Sequence, residues 1–259
     1  MRTTISADGT KIAFDQTGLG PPVILVVGAF NDRSTGAPLA EALEARFTVL
    51  NYDRRGRGAS GDTLPYSVER EVEDLDALIR EAGGSARVFG YSSGGTLALE
   101  AAARGLNITK LAVYEAPFMV GDDVPRPPKD MAVQLAKLVA SGHRGDAVEL
   151  FQTKLVGIPE QVVAQLRQAP FRPALEATAH TLVYEASIVG DLELPTAHLR
   201  SIKAPTLAVY GGESPAFMGS GAKALAKAVP DGRVRALAGQ NHDIVPAVLA
   251  PVLLDFFAD

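Results

Sequence analysis

Ser92 lies between glycines in Gly90-Tyr91-Ser92-Ser93-Gly94, after the apolar run Ala86-Arg87-Val88-Phe89 and before an alanine- and leucine-rich run over 95–103. Gly-x-Ser-x-Gly between a strand and a helix is a turn so tight that the serine backbone is strained. Small residues two places before and two after the serine keep strand and helix from colliding. The strain lifts the hydroxyl clear of the sheet, and the N-terminus of the next helix favours negative charge beside it. That is the setting of a nucleophile. The bare pattern is weak, because Gly and Ser are common turn residues; it gains weight from its context and from partners downstream.

The first partner is His242, in Gly239-Gln240-Asn241-His242 just after the last predicted strand. A histidine at a strand end can reach the elbow serine as general base. The chain has 4 histidines. His143, His180 and His198 fall in a helical block and read as surface or satisfied polar side chains. The second partner is the turn Val26-Val27-Gly28-Ala29-Phe30. It aims backbone N–H groups at the cleft, and acyl transfer needs two such donors where the oxyanion develops. One is expected from Ser93 and the other from Phe30, or from Ala29 if the turn is one residue shorter. A third segment, Asp53-Arg54-Arg55-Gly56-Arg57-Gly58-Ala59-Ser60, has the composition of a phosphate loop. It lacks both Gly-Lys-Ser/Thr and Gly-x-Gly-x-x-Gly, so it reads as structural.

These groups need a frame. Thr3–Ser6 and Lys11–Asp15 read as strands of a hairpin about Asp8-Gly9. Pro22–Val27, Phe47–Tyr52, Ala86–Phe89, Leu111–Tyr114, Ala204–Tyr210 and Arg233–Leu237 read as strands, several of them the continuous apolar runs of a sheet covered on both faces. Helices are expected over Gly36–Leu43, Val68–Glu81, the run after the elbow, Ala222–Ala228 and Val245–Phe257. Alternating strands and helices predict a three-layer α/β fold with a mainly parallel central sheet. From Pro117 to about Ser201 the alternation stops. Asp130–Ala140, Gly145–Val156, Glu160–Gln168 and Ala174–Ile188 all read as helices. This block is too long for a loop and is expected to be a helical cap inserted after the sixth strand. The expected division is a core of residues 1–117 and 202–259 and a cap of 118–201. Phe118, Met119, Phe151, Phe171 and Leu182 are the cap's candidate pocket residues, against the plainer reading of helix packing.

Composition narrows the classes. The 259 residues suit one large domain or a domain with an insertion. At 47% hydrophobic and 21% charged the chain is an ordinary globular one. Its 25 Lys+Arg against 30 Asp+Glu give a formal net charge of -5, which does not attract nucleic acid or an anionic membrane. With 0 cysteines there are no disulfides, thiolate metal sites or cysteine nucleophiles, in keeping with a cytoplasmic location. No N-terminal run resembles a signal peptide, and no run reaches the ~18 apolar residues of a membrane span.

The oxyanion turn at Gly28-Ala29-Phe30, the Asp-x-Arg-Gly-x-Gly-x-Ser loop from Asp53 to Ser60, the elbow at Ser92 and the late Gly-x-x-His ending at His242 occur in an order that resembles the α/β-hydrolase superfamily. The resemblance covers nearly the whole chain. It departs from the superfamily in two places. Gly28-Ala29 stands where many relatives have His-Gly-x. Gly211-Gly212-Glu213-Ser214 puts a serine where many relatives have the triad aspartate. A carboxylate is needed to hold the imidazole tautomer and stabilise the imidazolium. Glu115, after the sixth strand, is preferred over Glu213, because some relatives take the acid from that strand end. Asp243 is expected to point elsewhere. The resemblance implies a serine hydrolase acting on a small-molecule ester, thioester or lactone, with Ser92, His242 and Glu115 as triad, Phe30 and Ser93 as oxyanion donors, and no metal or organic cofactor. The other expectations on this fold are a cofactor-free perhydrolase, a lyase or cyclase, and a binding protein without turnover.

Overall fold

The computed structural model describes residues 1–121 and 126–258; residues 122–125 of the expected cap, and Asp259, lie outside the described residues. Strands β1 (Arg2–Ile5), β2 (Lys11–Thr17), β3 (Pro22–Val26), β4 (Thr48–Tyr52), β5 (Ala86–Tyr91), β6 (Ile108–Tyr114), β7 (Thr206–Gly211) and β8 (Gly232–Leu237) form one 8-stranded sheet in the order β1-β2-β4-β3-β5-β6-β7-β8. β2 runs antiparallel to β1 and β4, and every pairing from β4 to β8 is parallel. The fold is therefore the expected three-layer α/β arrangement with a mostly parallel sheet.

Helices α1 (Arg33–Leu43), α2 (Val68–Glu81) and α3 (Ser93–Ala103) belong to the first half of the sheet, and α10 (Ala216–Ala228) and α11 (Pro246–Phe257) to the second. Side chains alternate across a strand, so each buried strand feeds two cores. Val23 and Leu25 of β3, with Phe89 of β5, meet Leu39 of α1 and Leu253 of α11. Ile24 and Val26, with Val88, meet Leu75 of α2 and Leu97 of α3 on the opposite face. This is why these strands read as unbroken apolar runs.

Between β6 and β7 the chain forms the helical cap: α4 (Met131–Ala140), α5 (Arg144–Leu150), a π-helical turn (Phe151–Leu155), α6 (Glu160–Leu166), α7 (Arg172–Ala177), α8 (Thr181–Val189) and α9 (Thr196–Leu199). The cap has its own apolar cluster, including Met131, Leu135, Val148, Phe151 and Leu182.

α9 is not among the expected helices, α1 starts three residues before Gly36, and three other helices differ further. Ala174–Ile188 is two helices, because Thr178 Oγ1 donates to Leu175 O at 3.2 Å and Thr181 Oγ1 to Thr178 O at 2.8 Å. Such local hydroxyl bonds compete with the helical ladder. Gly145–Val156 ends in the π-helical turn, where the Val156 N–H reaches back to Phe151 O at 3.0 Å and Thr153 Oγ1 donates to Glu149 O at 2.7 Å. α10 starts six residues before Ala222, since packing there overrides the low helix propensity of Gly219 and Gly221.

Candidate active site

The site lies at the C-terminal ends of β3, β5 and β6, where ligands of open parallel sheets bind. Ser92 sits between β5 and α3 with φ 55 and ψ −127, a conformation sparsely allowed for any side-chain-bearing residue. The approach of helix to strand is close: a Cβ on Gly94 would stand 2.3 Å from Val26 O, and one on Gly90 would stand 2.6 Å from Gly95 Cα. Only glycine fits at those two places.

The turn after β3 presses against this elbow. A Cβ on Gly28 would lie 2.9 Å from Ser92 Cβ. Phe30 has φ 62, which swings its peptide away from the strand direction. Among the described residues, neither the Phe30 nor the Ser93 N–H donates to a protein acceptor. The back of the turn is held by arginines: Arg57 Nη1 donates to Gly28 O at 2.7 Å, and Arg54 Nη1 to Val27 O at 3.2 Å.

Those arginines come from the loop that the sequence marks as structural, and the loop is a buried ion network. Arg54 takes Glu71 with two hydrogen bonds of 2.7 Å, and Arg55 takes Asp74 in the same way. Arg54 Nη1 also meets Glu185 of cap helix α8 at 2.8 Å, and Arg57 Nη2 donates to the same carboxylate. Burial would pull the Arg54 guanidinium down; Glu185 and Glu71 outweigh it and hold the group well above its ordinary range.

Glu115 follows β6 directly. It has φ 57, and its carboxylate is fully buried. Oε1 accepts the Gly211 N–H at 2.7 Å, and Oε2 lies 3.1 Å from His242 Nδ1. With Nδ1–H donating to Glu115, Nε2 is left as the acceptor of the ring. The loop carrying His242 is held by Tyr91 Oη, which donates to His242 O at 2.7 Å, and by Tyr114 Oη, which donates to Asn241 O.

Ser92 and His242 line one cavity of about 220 Å³. No hydrogen bond joins them among the described residues. Such bonds are often long in empty sites. The structure thus gathers Ser92, Ser93, Phe30, His242 and Glu115. It leaves Glu213 exposed, with only its backbone N–H engaged, on Gln240 O at 2.8 Å. Asp243 is exposed as well, and Ser214 Oγ is buried without a partner. His143, His180 and His198 lie off the cavity, hydrogen-bonded to Ser141 Oγ, Gly56 O and Glu100 Oε2. Among the described residues no cluster of three or more His, Cys, Asp or Glu side chains could hold a metal ion.

Of the five cap residues that sequence offers for the pocket, Phe151 alone lines this cavity. Phe118 is buried in the sheet-side core and Leu182 in the cap cluster. Met119 packs on the cap cluster, and Phe171 is 51% exposed. The cavity is instead closed by Gln152, Leu155, Val189 and Leu192 from the cap and by Phe217 and Met218 from the first turn of α10. The α10 pair follows a parallel strand's C-terminal end, a signal that would have found it. The described residues include four non-glycine residues with positive φ: Phe30, Ser92, Glu115 and Leu192. All four stand at this site, and strain of this kind concentrates where structure serves function.

The chain belongs to the alpha/beta hydrolase family, whose sequence model matches residues 23–252. It is 53% identical to an alpha/beta hydrolase from Sphaerobacter thermophilus DSM 20745, with a TM-score of 0.93 over 99% of this chain and 100% of that one. The enol-lactonase from Burkholderia xenovorans LB400 shares the fold, with a TM-score of 0.71 at 23% identity, covering 100% of both chains. Among curated proteins, the uncharacterized hydrolase YraK of Bacillus subtilis (strain 168) is 26% identical over 155 residues, which are 57% of this chain and 55% of that relative. The chain thus spans about half the length of that relative. Family membership supports a hydrolytic enzyme. No helix among the described residues is long and apolar enough to cross a membrane.

Proposed function

We propose that the protein is a serine hydrolase of small, uncharged carboxylic esters, thioesters or lactones, with residues 1–117 and 202–259 as catalytic core and 118–201 as the cap that sets substrate size. Ser92 Oγ attacks the substrate carbonyl carbon while His242 Nε2 takes its proton. The Ser93 and Phe30 N–H groups receive the oxyanion. Glu115 fixes the His242 tautomer and stabilises the imidazolium. Collapse of the tetrahedral intermediate expels the alkoxide or thiolate, which leaves with the proton from His242. Water, deprotonated by His242, then cleaves the acyl-enzyme.

The observation that carries this reading is the 3.1 Å contact of Glu115 Oε2 with His242 Nδ1, on a ring that shares its cavity with Ser92. The two uncommitted backbone donors support it. The test is fluorophosphonate labelling beside hydrolysis of p-nitrophenyl acetate and butyrate, for wild type and Ser92→Ala. Labelling and turnover present in wild type and absent in the variant are expected. A folded wild type that neither labels nor turns over would overturn the reading in favour of non-hydrolytic chemistry or binding on the same fold.

A further inference from the structure

Residues 238–245, which carry His242 from β8 to α11, form neither strand nor helix. Their place is set from outside. Three consecutive carbonyls, those of Gln240, Asn241 and His242, each accept a donor from a different strand end. The Glu213 N–H, just past β7, donates to Gln240 O at 2.8 Å. Tyr114 Oη, at the end of β6, donates to Asn241 O, and Tyr91 Oη, at the end of β5, donates to His242 O at 2.7 Å. Tyr91 and Tyr114 are opposite each other in the parallel β5–β6 register, so both side chains leave the same face of the sheet. Their rings stack with centroids 6.1 Å apart, and the Tyr91 ring lies 5.1 Å from the His242 ring. Burial pushes both hydroxyls well above the ordinary phenol range, so each stays a donor. The imidazole itself is held less firmly. It is 43% exposed, and its hydrogen bond to the protein is the one from Nδ1 to Glu115. A ring tied at one nitrogen can pivot there, so the backbone beneath it must fix the direction of Nε2.

We propose that Tyr91 is a positioning residue of the reaction, which with Tyr114 fixes the reach of His242 Nε2 toward Ser92. The inference rests on the serine hydrolase reading and goes beyond it. Tyr91 immediately precedes the nucleophile, so one strand end carries Ser92 and also grips the peptide of its base. Its hydroxyl is spent on a backbone carbonyl, and it acts through His242. Proton transfer demands close placement, and a shift of about 1 Å can cost about a hundredfold in rate.

The experiment compares Tyr91→Phe and Tyr114→Phe with Tyr184→Phe, whose buried hydroxyl donates to Asp62 at 2.7 Å away from the cavity. Phenylalanine keeps the Tyr91 ring that lines the cavity and removes only the grip. Steady-state kinetics on p-nitrophenyl butyrate, the rate of fluorophosphonate labelling, and the far-downfield proton NMR signal of His242 Nδ1–H bonded to Glu115 are read in each. Tyr91→Phe is expected to lower kcat by about tenfold or more with KM within about twofold. The labelling rate should fall in step, and the downfield signal should broaden or vanish. Tyr114→Phe should act in the same direction by about threefold or more, and it carries the test alone if Tyr91→Phe does not fold. Tyr184→Phe should leave all three readouts unchanged. In a Glu115→Gln background, where the imidazole has already lost its anchor, Tyr91→Phe should cost less than about twofold further. An equal loss in Tyr184→Phe, or a full additional loss on Glu115→Gln, would overturn the assignment. Turnover that depends on Ser92 but not on either tyrosine hydroxyl upholds the hydrolase reading and sinks this one. A wild type that neither labels nor turns over sinks the hydrolase reading, and the downfield signal then decides: lost in Tyr91→Phe it upholds the grip on His242, unchanged it overturns it.

Discussion

The two walls of the cavity are built by different means. The core wall is made of backbone and charge. Ser92, Phe30 and Glu115 are all held at positive φ, and behind them Arg54 and Arg57 grip the carbonyls of Val27 and Gly28. Among the described residues, the cap wall is made of apolar side chains with one carboxamide. Backbone groups clamped by buried ions cannot shift by much, which suits the proposed oxyanion donors, since such donors must meet the developing charge within tenths of an ångström. Side chains on short helices repack readily, which suits a surface that judges size and shape. On the proposed function, the contrast teaches that precision and selectivity are separated across the cavity. Glu185 is the exception: it belongs to the cap and pairs with both arginines of the core.

That contrast can be broken at three points. The largest effect is expected at the core wall. Glu115→Gln should lower kcat by about a thousandfold or more, because the imidazole loses its tautomer control. Glu213→Gln should stay within about twofold, as befits an exposed carboxylate. Steady-state kinetics on p-nitrophenyl butyrate checks both, and the reverse ranking would move the acid to the loop after β7. The next effect is at the joint between the walls. Glu185→Gln leaves Arg57 buried without its carboxylate, so a loss of about 3 kcal/mol in chemical denaturation is expected. If the arginines position the oxyanion turn, kcat should drop by roughly tenfold with KM little changed. A fall in stability with kcat intact would mean that the network only glues cap to core. The smallest effect is at the cap wall. Phe151→Leu should shift the preference between acetate and hexanoate esters by roughly fivefold, with a far smaller loss of kcat than at Glu115. A kcat loss matching that of Glu115→Gln would erase the distinction between the walls.

Much of the core wall was legible before the structure, because its signals are local. The elbow is five consecutive residues, the strands are apolar runs, and the insertion announces itself by ending the strand–helix alternation. The choice between Glu115 and Glu213 was different in kind. It depends on a contact between residues 115 and 242, and neither carboxylate's neighbours in sequence reveal it. The cap wall was hardly legible. Its helices could be read from periodicity, but Phe118, Leu182 and Phe151 are equally apolar, and only the packing of helices against one another decides which faces the cavity. The π-helical turn and the Thr178 break arise from hydroxyl and carbonyl bonds that hydrophobic spacing does not encode. Glu185 was invisible for the same reason: its partners lie more than a hundred residues upstream, and on sequence alone it is one more helix glutamate.

The carboxylate beside His242 comes from the end of β6, and the end of β7 carries Ser214 instead. A strand end relieved of one duty becomes free for another. Here the chain beyond β7 turns at once into a helix whose first residues, Phe217 and Met218, form part of the chamber itself. With Glu115 as the acid, as proposed, this segment carries none of the reacting groups. Substitutions at Phe217 and Met218 would then reshape the chamber without touching the proposed reacting groups.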